Sequence, residues 1–410
     1  MVILKPLLGL FHNHWIFLFR CSIYIIMKTY DVIIIGAGAA GLSAASAALS
    51  NKKSVAVIDM GNVPARKIAV SGGGHCNFTN AAVAANKYFG HNPDFTRSAI
   101  SKISPNDILN WVKQHKINWI EKTSGQYFCK ETAKDFVDAL ISDAKKADFF
   151  MNNKVEDLDK NELFRIKTNK NFYTAKSVII ATGGISYPVL NVSDVGYKIA
   201  KKFGHKIIPV RPALCAILTK IFSSELSGIS LDVEINIGKE IIYDSMLITH
   251  FGLGGPAIYR ATVRNIDADI HINLLPNTNV FEWLKIQKQQ NGKKSLANIL
   301  SSKLPLRLAR WLTQKSNKNI ADYKDTELKL ISHNVSDIIV KKDDFKLYNL
   351  QSAEVVRGGV STEQISSKTM ESKLCPGMFF AGEVLDVTGD LGGFNLHWAL
   401  SSGRIAGENA

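Results

Sequence analysis

The stretch "YDVIIIGAGAAGLSAASAALS", Tyr30 to Ser50, opens on an apolar β-branched run, passes through a glycine turn and continues as an alanine-rich helical segment. A second short apolar run, "SVAVID", ends at Asp59, so residues 30–59 read as one strand-helix-strand unit. Its turn is G-x-G-x-x-G, with Gly36, Gly38 and Gly41 in the three glycine places. The three differ in what they do mechanically, with a tight turn at Gly36, close approach of a diphosphate to the backbone at Gly38, and helix-against-strand packing at Gly41. Ala39 and Ala40 open the helix, whose free N–H groups and positive dipole end suit an anion. Asp59 lies 18 residues beyond Gly41, where a carboxylate can accept from adenosine ribose hydroxyls, with Met60 beside it. A 2′-phosphate would meet Asp59 unfavourably, so the nucleotide reads as FAD or NAD rather than NADP.

The far end of the chain chooses between them. "FFAGEVLDVTGDLGGFNLHWALSSG" places Gly382 and Glu383 at a strand end and Gly392 and Gly393 just before a helix that starts near Phe394 to Leu396. FAD carries a ribityl chain and an isoalloxazine ring beyond the reach of one strand-helix-strand unit, so a second segment has to complete its site. The positive end of that last helix would stabilise charge accumulating on the ring during reduction by roughly 0.3 to 2 kcal/mol. "SVIIATGG" reads as another buried strand closing on glycines. Between the two ends, residues 207–275 alternate in short segments and read as an antiparallel sheet or barrel, and 281–344 read as helical. The expected organisation is a discontinuous FAD-binding domain, 28–192 and 350–410, with an inserted substrate or cap domain, 193–349.

The linked motifs "GAGAAG", "SGGGHCNFTN" (71–80), "ATGGISYP" (181–188), "THFGLGGPA" (249–257), "TMESK" (369–373) and "FAGEVLDVTGDLGGFNLHWALSSG" (380–403) carry a family resemblance. The chain resembles the YhiN-like bacterial NAD(P)/FAD-dependent oxidoreductases, which include aminoacetone oxidase and bile-acid 4,6-reductase flavoproteins. The resemblance implies an α/β fold: a glutathione-reductase-like, FAD-binding Rossmann domain with an inserted β-barrel-like and helical region. It also implies FAD contacts at Arg66, Lys67 and the loop Ser71, Gly72, Gly73, Gly74, His75, Cys76 and Asn77. Val155 would lie at the adenine, and Ala181, Thr182, Gly183 and Gly184 along the adenosine diphosphate. Gly382, Glu383, Asp386, Gly392, Gly393, Phe394, Asn395 and Leu396 would cover the ribityl chain and flavin. The sequence departs from the family pattern at His75, where Arg is usual, at Gly254, where Ser is usual, and in the loop 186–197.

Two histidines are candidate catalytic groups. His250 sits beside a glycine-rich stretch of the insertion and has the intrinsic pKa of a proton donor, and His75 occupies the departed position of the flavin loop. Arg357, in "VVRGGV", is a candidate for an anionic substrate group, and Tyr187 for a ligand carbonyl. No G-x-S-x-G, H-E-x-x-H or Walker loop is present, which removes support for hydrolase and NTPase chemistry. The absence of a second G-x-G-x-x-G leaves NAD(P)H as a transient co-substrate only. The five cysteines (21, 76, 129, 215, 375) have no metal-ligand or paired spacing, so neither a metal site nor a disulfide framework is expected, and a reducing cytoplasmic setting is.

The formal net charge is +14, of which the segment Phe281 to Lys346 supplies +7 from 14 basic and 7 acidic residues. Lysines outnumber arginines 39 to 11, which favours a solvated face over nucleic-acid recognition. Residues 1–27 are apolar and free of acids but broken by His12, Asn13, His14 and Arg20, and read as an extension ahead of Met27 rather than a membrane segment. The resulting reading is an FAD-dependent oxidoreductase that moves a hydride between flavin and a small organic substrate, with O2 or NAD(P)(H) as the other partner. The competing readings are an RNA-associated flavoprotein and a flavin-bound protein without catalysis.

Overall fold

A computed structural model describes residues 28–410 apart from 265 and 266. The extension ahead of Met27, and Cys21 within it, lie outside the described residues. The β-branched runs form strands β1 (Thr29–Ile35) and β2 (Val55–Ile58), with helix α1 (Ala39–Ser50) between them. These two strands, β3 (Asp148–Phe150), β4 (Phe172–Ile180) and β5 (Met378–Phe380) make a parallel sheet in the order β3-β2-β1-β4-β5. Val32, Ile33 and Ile34 of β1 are fully buried, as a strand covered on both faces requires. Strand β4 divides its outer edge: its first half pairs antiparallel with Phe164–Thr168 and its last three residues pair parallel with β5. Residues 149–155 do not run as one strand: Asn152 adopts φ 51° and the chain turns there, between β3 and the strand Val155–Lys160.

The last helix, α2 (Phe394–Asn409), crosses α1 at close range. A Cβ on Gly403 or Gly407 would stand 2.2 or 2.1 Å from the carbonyl oxygens of Ala40 and Ala44, so only glycine allows this approach. His397 on α2 is fully buried; Thr79 Oγ1 lies 2.8 Å from its Nδ1 and the Ile103 carbonyl 3.0 Å from its Nε2, which fits a neutral ring that accepts at Nδ1 and donates at Nε2. Burial lowers its pKa to about 4, against weaker raising effects from Ile103 and Asp107. Because the folded value lies below the unfolded ~6.5, the unfolded chain takes up the proton first on acidification. Stability is therefore expected to fall by about 3 kcal/mol between pH ~6.5 and ~4 on this account. Urea titrations across that range should lose about one proton's worth of pH dependence in His397→Gln.

The buried apolar side chains fall mainly into two large clusters. One buried cluster draws on residues from Tyr30 to Ala200 and again from Val360 to Ala406, and a second runs from Ile217 to Phe345. Helix Val195–Lys202 packs in the first cluster, although the sequence boundary at 193 assigns it to the insertion. The second cluster lies under a seven-stranded antiparallel sheet in the order 338–340, 270–273, 230–237, 240–248, 252–254, 217–218, 346–347. A flat sheet of seven strands would hold its edges ~29 Å apart at ~4.8 Å per pair. Its edge strands are joined by residues 341–345, which reach at most ~20 Å when extended, so the sheet must curl towards a barrel. Strands 338–340 and 346–347 fall in or next to the region that reads as helical, and helix Pro256–Thr262 falls within the region that reads as strands. All three segments are too short for periodicity to classify.

Candidate functional site

The glycine turn divides its labour as the mechanics require. Gly36 has φ 112°, and a Cβ there would stand 2.3 Å from the Ala181 carbonyl oxygen of β4's following turn. A Cβ on Gly41 would meet the Gly36 carbonyl at 1.8 Å. A Cβ on Gly38 would meet nothing within 4 Å, so the space in front of it is open. Gly38 is also the N-cap of α1 and offers no side-chain cap, which leaves the first-turn N–H groups facing that space.

That space belongs to a cavity of about 950 Å³ outside the carboxyl ends of the parallel strands. Around its nucleotide end lie Gly36, Gly38, Ala39, Ala40, Asp59, Met60, Val155 and the turn Ala181, Thr182, Gly183 and Gly184. Asp59 accepts N–H groups of Ala37 (2.7 Å) and Gly61 (2.6 Å) and pairs with Arg66 at 3.2 Å, which leaves lone pairs for further donors. Asn153 Oδ1 and Thr182 Oγ1 are buried without a partner among the described residues, and Thr182 Oγ1 lies against Gly196, 2.2 Å from where a Cβ would stand. Around the other end lie Arg66, Lys67, Ser71, Gly72, Gly73, Asn77, Gly382, Glu383, Gly392, Gly393, Asn395 and Leu396. Helix α2 starts there behind Gly393, at φ 95° and again without a side-chain cap.

Five expected contacts lie elsewhere. Gly41 packs behind the turn, and Gly74 sits at φ 85° outside the cavity lining. Cys76 is fully buried at φ 50°, against Cys129, and desolvation pushes its thiol pKa well up, so it is an inert support for the loop. Asp386 accepts the backbone N–H and the Nδ1 of His91 at 2.8 and 2.9 Å. Phe394 packs edge-on against Tyr88. Both candidate catalytic histidines are also outside the lining. His250 is solvent-exposed with its ring on Phe251, and His75 contributes a carbonyl that accepts from Cys129 N at 2.8 Å. Arg357 is likewise structural, with Nη1 donating to the carbonyls of Val263 (2.7 Å) and Arg264.

Side chains that carry no motif close the flavin end. Leu214, Asp244, Tyr259 and Arg260 of the region 193–349, and Glu354 just after it, line the cavity. Arg260 pairs with Asp244 and with Asp390, each at 2.9 Å. Asp390, wholly buried, also takes Arg264 at 3.0 Å, so this cluster ties the insertion to the segment just ahead of α2. Lys67 donates to Glu383 and to Ser186, each at 2.8 Å, and the second oxygen of Glu383 accepts Val356 N at 2.9 Å. Desolvation raises the pKa of Glu354, opposed by Lys67, and raises that of Tyr259, with help from Glu354.

Two helix N-termini without side-chain caps, an open glycine turn and the Asp59 carboxylate line one cleft and fit FAD, in a Rossmann-type flavin-dependent oxidoreductase. The HI0933-like protein Rossmann domain matches residues 30–409, and the chain belongs to that family. It is 37% identical over 393 residues to a ribosomal RNA dihydrouridine synthase of Escherichia coli K12, across 92% of this chain and 96% of the relative. A protein of the same name from Haemophilus influenzae is 39% identical over 386 residues, across 90% and 96%. A 3-dehydro-bile acid delta(4,6)-reductase of Clostridium scindens is 26% identical over 405 residues, across 92% and 98%. No helix among the described residues is long and apolar enough to cross a membrane.

Proposed function

We propose that this flavin-dependent oxidoreductase reduces a uracil base of ribosomal RNA to dihydrouracil, drawing its electrons from a nicotinamide nucleotide. The observation that carries the reading is identity of 37 and 39% to two ribosomal RNA dihydrouridine synthases along nine-tenths of the chain, insertion included. The +14 charge then takes on the meaning that lysine-rich composition alone argues against, because lysines of the 281–346 segment would meet phosphate rather than only solvent.

Bound FAD supplies hydride transfer between nicotinamide and the base. The chain's own groups bind and orient. Gly38 and the first turn of α1 would take the diphosphate, Asp59 the adenosine ribose, and Asn153, Val155 and Thr182 the adenosine side. Lys67, Asn77, Gly392, Gly393 and the start of α2 would hold the flavin end, with the helix N-terminus favouring negative charge on the ring. Leu214, Tyr259 and Arg260 would receive the base. Arg260 is fixed by its two carboxylates and has N–H donors left for a carbonyl oxygen. A base held in an RNA stack has to turn out of it to enter this cavity.

The test uses purified flavin-bound protein, reduced anaerobically and mixed with ribosomal RNA from cells lacking the enzyme. Reoxidation of the flavin, together with a uridine that gains two hydrogens on nucleoside mass spectrometry, is the expected result. A flavin that stays reduced with RNA at low salt, yet is reoxidised by small unsaturated carbonyl compounds, would overturn the RNA substrate.

A further inference from the structure

We propose that Glu354 delivers the proton that accompanies hydride transfer to the substrate. The inference rests on the reductase reading but not on the identity of the substrate beyond a polarised carbon-carbon double bond.

Four carboxylates line the cavity: Asp59, Asp244, Glu354 and Glu383. Three are neutralised by a cation on a neighbouring element. Asp59 has Arg66 at 3.2 Å, Asp244 has Arg260 at 2.9 Å and Glu383 has Lys67 at 2.8 Å. Each of the three thereby has its oxygens engaged by a fixed cation. Among the described residues the Glu354 carboxyl makes no hydrogen bond or ion pair, although its main chain is fixed: its N–H donates to Leu214 O at 3.3 Å and its carbonyl accepts from Ser186 Oγ at 3.3 Å. The side chain is thus presented to the cavity from a pinned backbone, at the point where Val355 starts the strand Val355–Val360.

Among the described residues neither a histidine nor a cysteine lines the cavity. His75 and His250 do not line the cavity, and Cys76 is sealed behind the loop. Tyr259 is a weaker acid than an ordinary phenol here. Facing Glu354 around the cavity are Lys67 beside the flavin loop, Glu383 after β5, Tyr259 and Arg260 on helix Pro256–Thr262, and Asp244 on the adjacent strand. Within that set Glu383 is tied down by Lys67 and a backbone N–H, whereas the Glu354 carboxyl stands open to the cavity with no partner among the described residues, between walls whose desolvation raises its pKa.

In the step, a hydride from the reduced cofactor adds to one carbon of the double bond, and the displaced electron pair takes the Glu354 proton at the adjacent carbon. The Glu354 O–H bond breaks, a C–H bond forms, the substrate is reduced by two electrons and the cofactor is oxidised by two. Water entering the cavity mouth then returns a proton to the carboxylate.

The experiment follows reoxidation of anaerobically reduced, flavin-bound protein by ribosomal RNA in wild type, Glu354→Gln and Glu354→Asp. Glu354→Gln is expected to retain flavin and to reoxidise on the order of 10²- to 10⁴-fold more slowly, the usual contribution of a positioned acid. The wild-type rate should fall as pH rises through the Glu354 pKa, a limb absent from Glu354→Gln and kept in Glu354→Asp. An infrared carboxylic-acid band that persists above pH ~5 in wild type and is lost in Glu354→Gln reports the same group without turnover. A Glu354→Gln rate within about tenfold of wild type, with the pH limb intact, or the absence of that band from wild type, overturns the proposal. Failure of RNA to reoxidise wild type overturns the substrate reading instead, and the same comparison is then made with an unsaturated carbonyl acceptor.

Discussion

Gly38→Asp is expected to give a folded protein that carries no flavin. Gly38 sits at φ −81°, which any residue adopts, and its Cβ direction is open for 4 Å, so the substitution strains nothing. Aspartate is moreover a favoured N-cap residue, and at the head of α1 it would satisfy an open N–H and stabilise the empty fold by roughly a few tenths of a kcal/mol. The same carboxylate would stand where the diphosphate belongs. A like-charge pair at ~4 Å and an effective dielectric of ~20 costs about 4 kcal/mol, on the order of 10³ in dissociation constant. Gel filtration followed by a visible spectrum should show a colourless monodisperse protein with unfolding at least as late as that of flavin-free wild type. A yellow product would displace the diphosphate from this turn. Gly36→Ala is the contrasting substitution, since the added carbon meets the Ala181 carbonyl at 2.3 Å and φ 112° excludes it, and there the fold itself should fail.

The second large effect is expected at Asp390. Its carboxylate is wholly buried between Arg260 and Arg264, and its Oδ1 also accepts the N–H of Leu391 at 2.8 Å. In Asp390→Ala, Arg260 keeps Asp244, but Arg264, nine-tenths buried, keeps as carboxylate partner among the described residues only Glu240 at 3.6 Å, beside the Arg260 carbonyl and the Phe89 ring. Removing one partner from such a cluster costs roughly 3 to 5 kcal/mol, because the remaining charge is left desolvated. Urea unfolding monitored by flavin release and by far-ultraviolet circular dichroism should show that loss, with release preceding unfolding because the cluster joins the insertion to the approach of α2. A change below about 1 kcal/mol would mean that the cluster is solvated in solution and does not bind the two cores.

The nucleotide end of the site was legible because its demands fall on backbone. A turn that needs φ 112° at Gly36 and a carbonyl within 2 Å of any Cβ at Gly41 leaves one residue type, and spacing then reveals it. Glu383 was legible for the same reason, since the glycines around it mark a strand end. The substrate end was not. Glu354, Tyr259 and Arg260 sit on a strand start and a short helix with no spacing rule between them, and only folding of the insertion brings them to one wall. His250 illustrates the converse: the glycines beside it mark a tight strand pairing, since a Cβ on Gly252 would meet Ile217 O at 2.1 Å, rather than a loop reaching over a cofactor. Asp386 shares its motif with Glu383, but the alternating direction of the chain turns it towards His91.

The close crossing of α1 and α2 fixes when during synthesis the protein can acquire its cofactor. Ser43 Oγ donates to Leu400 O across 357 residues, and the glycine notches of α2 receive the alanine face of α1. A chain emerging from the ribosome amino end first has its glycine turn early, but must carry that alanine face uncovered until α2, which begins 344 residues beyond the end of α1, has been made. Pairings so distant in sequence are slow to form. FAD capture is therefore expected only after α2 has emerged, and nascent chains arrested before α2 should emerge without flavin and depend on chaperones to keep α1 from sticking to other chains.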